Sequence, residues 1–250
     1  MRPVLYIDKR SPPVRACLML ARILKIDLEY KEIDLFKGEQ NSEEFLKVSR
    51  CRCHCQEYIH LHYTLSCVSV SQINKSHTVP SFQDDKITLT DSHSILIYLC
   101  EQYGGDGGKL LYPSEDRLLR TKVINQLFFE SSILFRRDSD MMSEIIRKGF
   151  SQVDILTHER KITECYDILD RFLENSKYVV HNEMTIADLS VVTTLSTVDL
   201  MFRVTEDKWR HLFKWFARMK SLPEYSECNT VGLNHLKETM ERFGKFKFPQ

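Results

Sequence analysis

The run Val4-Leu5-Tyr6-Ile7, closed by Asp8-Lys9-Arg10 and followed by Ser11-Pro12-Pro13-Val14, decides the fold class. Four apolar residues stopped by three charged ones read as a short buried strand. Pro12 and Pro13 suit a first helical turn, where backbone amides have no intrahelical partner. Val14, Cys17, Leu18, Ala21 and Leu24 then recur at helical spacing. Residues 30–35 alternate like a second strand, and Ser42 starts another helix. Farther on, residues 78–82 and 86–89 read as two strands joined by Gln83-Asp84-Asp85, and Asp91-Ser92 caps an apolar helix through Leu99. The glycines in 103–108 end that helix and mark a linker over residues 104–114. Beyond it the pattern is helical: roughly 115–147, 150–175, 189–200, 209–220 and 233–243. Thr185-Ile186-Ala187-Asp188 forms a capping box ahead of the third of these. The expectation is an α/β domain over residues 1–103 and an all-α domain over 115–250.

The composition narrows the function. The chain has 250 residues, with 35 Lys+Arg against 35 Asp+Glu, so no net charge draws it to nucleic acid or an acidic membrane. A hydrophobic content of 42% excludes a disordered chain. No apolar run approaches the roughly 18 residues of a membrane-spanning helix. Asp8, Lys9 and Arg10 interrupt any signal-peptide core, so a cytoplasmic location is expected. Eight cysteines are present, four of them at Cys51, Cys53, Cys55 and Cys67. In a reducing compartment these do not form a disulfide framework.

Local signals in the first domain carry chemistry. Ser11 lies between a strand end and a helix start, where the helix dipole and free amides favour an anion. Its hydroxyl there is able to donate to a thiolate and lower the pKa of the parent thiol, ordinarily about 8.5; the plain alternative is a helix cap. Pro80 after Val79 cannot donate to a ladder, which points to an edge or a cis turn. A cis bond would turn the Val79 backbone outward to pair with an extended peptide; the alternative is an ordinary strand start. Asp91 and Ser92 at a helix start suit an amine and a carboxylate, or simply cap the helix. His77 is a further polar group, or a solvated loop residue. In the second domain Leu134, Phe135, Asp138, Met141, Met142 and Ile145 fall near one helical face. An acid in such company is costly if buried alone. Asp138 either accepts a hydrogen bond from a ligand hydroxyl or pairs with Arg136, Arg137 or a neighbouring helix.

The order strand–Ser-helix, Val-Pro, Asp-Ser-helix, followed by the Thr185–Asp188 box, resembles cytosolic glutathione transferases, with a thioredoxin-like first domain. The resemblance covers the chain outside roughly residues 48–72. The strings Ser11-Pro12-Pro13-Val14-Arg15, Asp34-Leu35-Phe36-Lys37-Gly38-Glu39-Gln40, Leu89-Thr90-Asp91-Ser92-His93 and Leu134-Phe135-Arg136-Arg137-Asp138-Ser139-Asp140 are similar to the insect epsilon class. Within it they stand near a member tied to ecdysteroid production. The resemblance implies glutathione as co-substrate, no metal and a homodimer. It implies that Ser11 stabilises the glutathione thiolate and that Val79 and Pro80 pair with the cysteinyl part. Asp91 and Ser92 would hold the γ-glutamyl end, with His93 nearby, and His77 the glycyl end. Pro13 and Leu35 would line the cleft. For an apolar, steroid-like second substrate it implies Asp138, with Phe36, Phe135, Ser139, Met142 and Ile146 as walls and Arg10 and Pro12 at the border. A glutathione-dependent sterol carrier without turnover and a general detoxifying transferase remain as alternatives.

Residues 48–72 stand outside this pattern. Cys51, Cys53, Cys55, His54, His60, His62 and Cys67 are soft ligands for zinc, yet Cys-X-Cys-X-Cys is not zinc-finger spacing. A structureless insertion of this length is uncommon in a compact domain. The third reading is a retained intron: Val48-Ser49 is encodable by a splice-donor sequence and Gln72 by an acceptor. Removing the stretch joins Lys47 to Ile73 at the spacing the family expects. Sequencing the abundant message across that junction decides the matter, and a continuous transcript through the stretch would refute the intron.

Overall fold

In a computed structural model, residues 2–39 and 78–242 are described. The helix expected from Ser42, the 48–72 stretch and His77 lie outside the described residues. β1 (Val4–Ile7) runs parallel to β2 (Glu29–Glu32) and antiparallel to β3 (Ser81–Gln83), which pairs antiparallel with β4 (Thr88–Leu89). The sheet order is β2-β1-β3-β4. β1 is buried along its whole length, as an inner strand with both faces covered must be. β2, Glu-Tyr-Lys-Glu, is exposed throughout, and its charges blunt an open edge. α1 (Pro12–Ile23) makes the crossover between β1 and β2.

Two expectations need revision. The second strand stops at Glu32, and Leu35–Lys37 forms a 3-10 turn because the Asp34 side chain accepts the Phe36 amide at 3.1 Å. Residues 104–114, read as a linker, contain a helix. α2 (Ser92–Tyr103) is followed directly by α3 (Gly105–Leu111), packed against it. Glycine makes this possible, since a Cβ on Gly108 would sit 2.2 Å from the Cys100 carbonyl oxygen. The long helix expected from 115 forms without a break over residues 117–148, as α4 (Arg117–Phe129) and α5 (Phe135–Lys148) running on through a π-helical turn at Glu130–Leu134. Such turns interrupt helices without ending them.

α6 (Ile155–Phe172), α7 (Ile186–Val198), α8 (Arg210–Lys220) and α9 (Val231–Arg242) complete the helical part. All 13 residues of α7 are buried, so this helix is the axis of the molecule. Its hydroxyls survive burial by donating back along the helix, Thr193 to the Ser190 carbonyl at 3.0 Å and Thr197 to that of Thr193 at 3.1 Å. The capping box forms: Asp188 accepts from the Thr185 amide at 2.8 Å and hydroxyl at 3.1 Å. Asp188 also accepts from the Val179 amide and the Trp215 indole, each at 2.9 Å. α1 lies against α7, which brings the end of β1 to the helical part.

Candidate functional site

Where β1 ends, Asp8 ties the following loop down. It accepts from the Arg10 amide at 3.0 Å, from the Arg10 guanidinium at 2.8 and 2.6 Å, and from the Leu35 amide at 3.1 Å. Arg10 also reaches Asp34 at 2.5 Å and lies over the Phe36 ring, 4.5 Å from its centroid. Burial works against the Arg10 charge, but its bonds to Asp8 and Asp34 prevail and raise its pKa. This staple joins the loop before α1 to the 3-10 turn and fixes both walls of an opening.

Ser11 sits in this opening at the N-cap position of α1, with extended backbone (φ −75°, ψ 124°) and no cap bond from its side chain. The next two residues narrow the choice of partner for such a bond. A capping hydroxyl accepts from the second or third helical amide; Pro13 at the second position has none, which leaves only that of Val14. Pro12 and Pro13 also remove two of the free amides expected to favour an anion, and the Ser11 amide is taken by the Asp8 carbonyl at 2.9 Å. An anion here therefore has the Ser11 hydroxyl and fewer first-turn amides than an ordinary helix start offers.

A cavity of about 180 Å³ opens beside Ser11. The sheet side contributes Asp8, Arg10, Ser11, Pro12, Leu35 and Phe36; α5 contributes Phe135, Asp138, Ser139, Met142, Ser143 and Ile146; Thr197 and Leu236 close it. All eight residues expected for a second substrate line this one cavity. Two polar clefts of about 350 and 390 Å³ adjoin it, sharing Arg10, Asp34 and Lys37. Sequence reading missed Asp8, Ser143, Thr197 and Leu236. Ser143 follows Ser139 by one helical turn and was findable by spacing; Thr197 and Leu236 come from distant helices and carry no local signal.

Asp138 is the unusual member, only 2% exposed, and its Oδ1 has no hydrogen-bond partner. The two neighbouring arginines do not neutralise it: Arg136 pairs with Asp140 at 3.0 Å and Arg137 with Glu164 at 3.2 Å. The positive charge that acts on it is Arg15 on α1, fully buried, which donates to Asn229 at 2.6 Å and to the Thr197 hydroxyl. Burial pushes the Asp138 carboxyl up to about 7; Arg15 opposes this and Glu130 adds to it. Burial likewise pulls the Arg15 guanidinium down to about 10.

The residues expected for glutathione are spread more widely. Leu35 lines the cavity and Pro13 is half-buried in the first turn of α1. The Val79–Pro80 peptide is cis, and both residues are buried at the start of β3. Asp91 caps α2, its Oδ1 accepting from the Ser94 amide at 2.9 Å and hydroxyl at 3.1 Å, and it is exposed. Ser92 begins the same helix, and its carbonyl accepts from the Cys17 thiol at 3.8 Å. His93, next in sequence, makes contacts with the helical part. Its Nε2 lies 2.7 Å from the Ser190 hydroxyl and 2.9 Å from Glu130, so the ring bridges to the helical part. Glu130 in turn accepts from Thr194 at 2.5 Å. The described cysteines, Cys17, Cys100, Cys165 and Cys228, are buried and free, and burial raises every one of their thiols.

Comparison with known proteins gives this geometry a context. Residues 146–227 match the family described as Glutathione S-transferase, C-terminal domain. Glutathione S-transferase 1 of Manduca sexta is 31% identical over 236 residues, covering 94% of this chain and 95% of its own. An epsilon-class glutathione S-transferase from the housefly, Musca domestica, superposes with a TM-score of 0.82 at 31% identity, over 99% of this chain and 100% of that one. A glutathione transferase homologue of Drosophila mojavensis, solved with bound glutathione, superposes with a TM-score of 0.81 at 31% identity, covering 98% of each.

Proposed function

The chain belongs to the glutathione S-transferase family, an enzyme class, and is of insect epsilon-like type; we propose that Ser11 activates the glutathione thiol for attack on an apolar substrate lying against Asp138. The observation that carries this reading is that Ser11, with its hydroxyl unspent on the helix, and Asp138, with an unpartnered oxygen, line one cavity. The hydroxyl donates to the thiolate, which favours loss of the thiol proton. A bond then forms from sulfur to an electrophilic carbon, and the electron pair leaves with a departing group or moves into the acceptor.

Glutathione itself is proposed to lie along the cis Val79–Pro80 strand start, its γ-glutamyl end at Asp91 and Ser92 and its glycyl end toward His77. The finer reading is an ecdysteroidogenic enzyme of the Noppera-bo type, in which Asp138 accepts a hydrogen bond from a steroid-like hydroxyl. The cavity volume of about 180 Å³ bears on this choice. It is below the roughly 300 Å³ at which pockets enclose drug-sized ligands. A steroid would place one end at Asp138 and extend over the polar clefts, whereas a compact electrophile fits within. The size therefore favours general detoxification as the second reading. A cytoplasmic homodimer accompanies both. Leu118 and Phe128 on α4, 80% and 66% exposed, are apolar side chains that such an interface would cover.

Chromogenic conjugation of glutathione to a haloarene tests the proposal. A hydrogen bond to a charged group contributes roughly 1.5–3 kcal/mol, so Ser11→Ala should lose about one to two orders of magnitude in kcat/KM near neutral pH. Equal rates in both proteins would refute it. Steroid binding with no conjugation in the wild type would favour a carrier.

A further inference from the structure

Two carboxyl groups line the cavity beside Ser11, and they are treated differently. Asp8 is consumed by its bonds to Arg10 and Leu35. Asp138 faces the same space almost fully buried, with no cation within ion-pairing distance among the described residues and with Oδ1 unbonded. A buried carboxyl without a charged partner favours its neutral form. A neutral carboxyl is a hydrogen-bond donor, and in an apolar site it is a means of stabilising an oxyanion.

Resting on the activation of glutathione proposed above, we infer that Asp138 is a proton donor to the carbonyl oxygen of the second substrate, which directs this site to conjugated enones. The thiolate sulfur adds to the β-carbon and forms the C–S bond. The π electrons of the C=C bond shift toward the carbonyl, and the oxygen takes the Asp138 proton. The resulting enol returns to the ketone, gaining a proton on the α-carbon from water and releasing the one on oxygen. Asp138 regains a proton from solvent. The net reaction adds glutathione across the C=C bond, with no oxidant or further reactant.

Charged and titratable groups from each neighbouring element bear on Asp138. Arg15 on α1 favours the ionised form, and Glu130 in the π-helical turn opposes it. Tyr166 on α6 is held neutral by burial, and Asp8 and Arg10 across the cavity are bonded to each other. Burial prevails, and the carboxyl reaches about 7.

The test compares wild-type turnover of a conjugated enone with that of a haloarene, whose substitution has no carbonyl to protonate, across pH. Both need the thiolate, so their ratio cancels its ionisation. The enone-to-haloarene ratio should fall about tenfold from pH 6 to pH 8, as the acid is lost. In Asp138→Asn the ratio should drop at least about tenfold at pH 6 and become flat with pH. A flat wild-type ratio, or an unchanged ratio in the variant, would overturn the inference. The wild-type profile decides the matter if the variant does not fold. Failure of the underlying reading has a separate signature: no Ser11-dependent haloarene conjugation at all.

Discussion

Asp138→Asn should make this protein more stable at alkaline pH and less stable in acid. In the folded state the carboxyl is pushed from its ordinary 3.8 up to about 7, first by burial, with Arg15 opposing and Glu130 reinforcing. Between these values the native state holds a proton that the unfolded chain has released. Stability therefore falls as pH rises through that window and levels off above about 7. The full cost corresponds to roughly 4 kcal/mol at about 1.4 kcal/mol per pH unit. Asparagine cannot ionise, but its buried amide costs about 1–2 kcal/mol where it lacks partners. The variant should therefore be more stable by roughly 2–3 kcal/mol at pH 8, and less stable by about 1 kcal/mol at pH 4. For a chain of this size the alkaline gain is about 5–10 °C in Tm. Thermal unfolding followed by circular dichroism at both pH values reads the crossing. A variant less stable than wild type at pH 8 would refute the reasoning. It would mean that the ionised Asp138 carries no net cost in the fold, being compensated by the Arg15 charge.

Two further substitutions test the packing that positions the site. A Cβ on Gly232 would lie 2.1 Å from the Lys9 carbonyl oxygen and 2.5 Å from Arg15 Cδ, so Gly232→Ala must displace the loop that leads to Ser11. It should cost about 1–3 kcal/mol in urea unfolding and lower conjugation as well, and unchanged values of both would contradict this. Asp188→Ala leaves the Thr185 and Val179 amides and the Trp215 indole without their buried acceptor. The expected loss is about 3–5 kcal/mol, and a loss under about 1 kcal/mol would show that water or a rearrangement replaces the carboxylate.

Much of the fold was legible because local rules agreed with one another. Val4–Ile7, the prolines opening α1, the Asp91 cap and the Thr185–Asp188 box all form where periodicity and capping chemistry place them. The misreadings arose where tertiary contact overrides composition. The glycines of residues 104–108 read as a linker, but close approach to Cys100 is what they permit, and α3 forms there. Of the six residues that spacing put on one helical face, Phe135, Asp138 and Met142 line the cavity, whereas Leu134, Met141 and Ile145 turn into the core, because one helical stripe is wide enough to serve both. Arg15 and Thr197 could not be found that way: they meet from α1 and α7, 182 residues apart in sequence. The resemblance set His93 beside Asp91 and Ser92; its ring also joins Glu130 and Ser190, contacts between distant elements that no local pattern signals.

The central claim is that the Ser11 hydroxyl, which makes no cap bond to its own helix, stabilises a thiolate. Titrating the ultraviolet thiolate absorbance of bound glutathione in wild type and in Ser11→Ala measures this directly. The account predicts a bound thiol that ionises one to two pH units below free glutathione in the wild type, about 1.5–3 kcal/mol of stabilisation, and near the free value in the variant. The same ionisation in both proteins would contradict it.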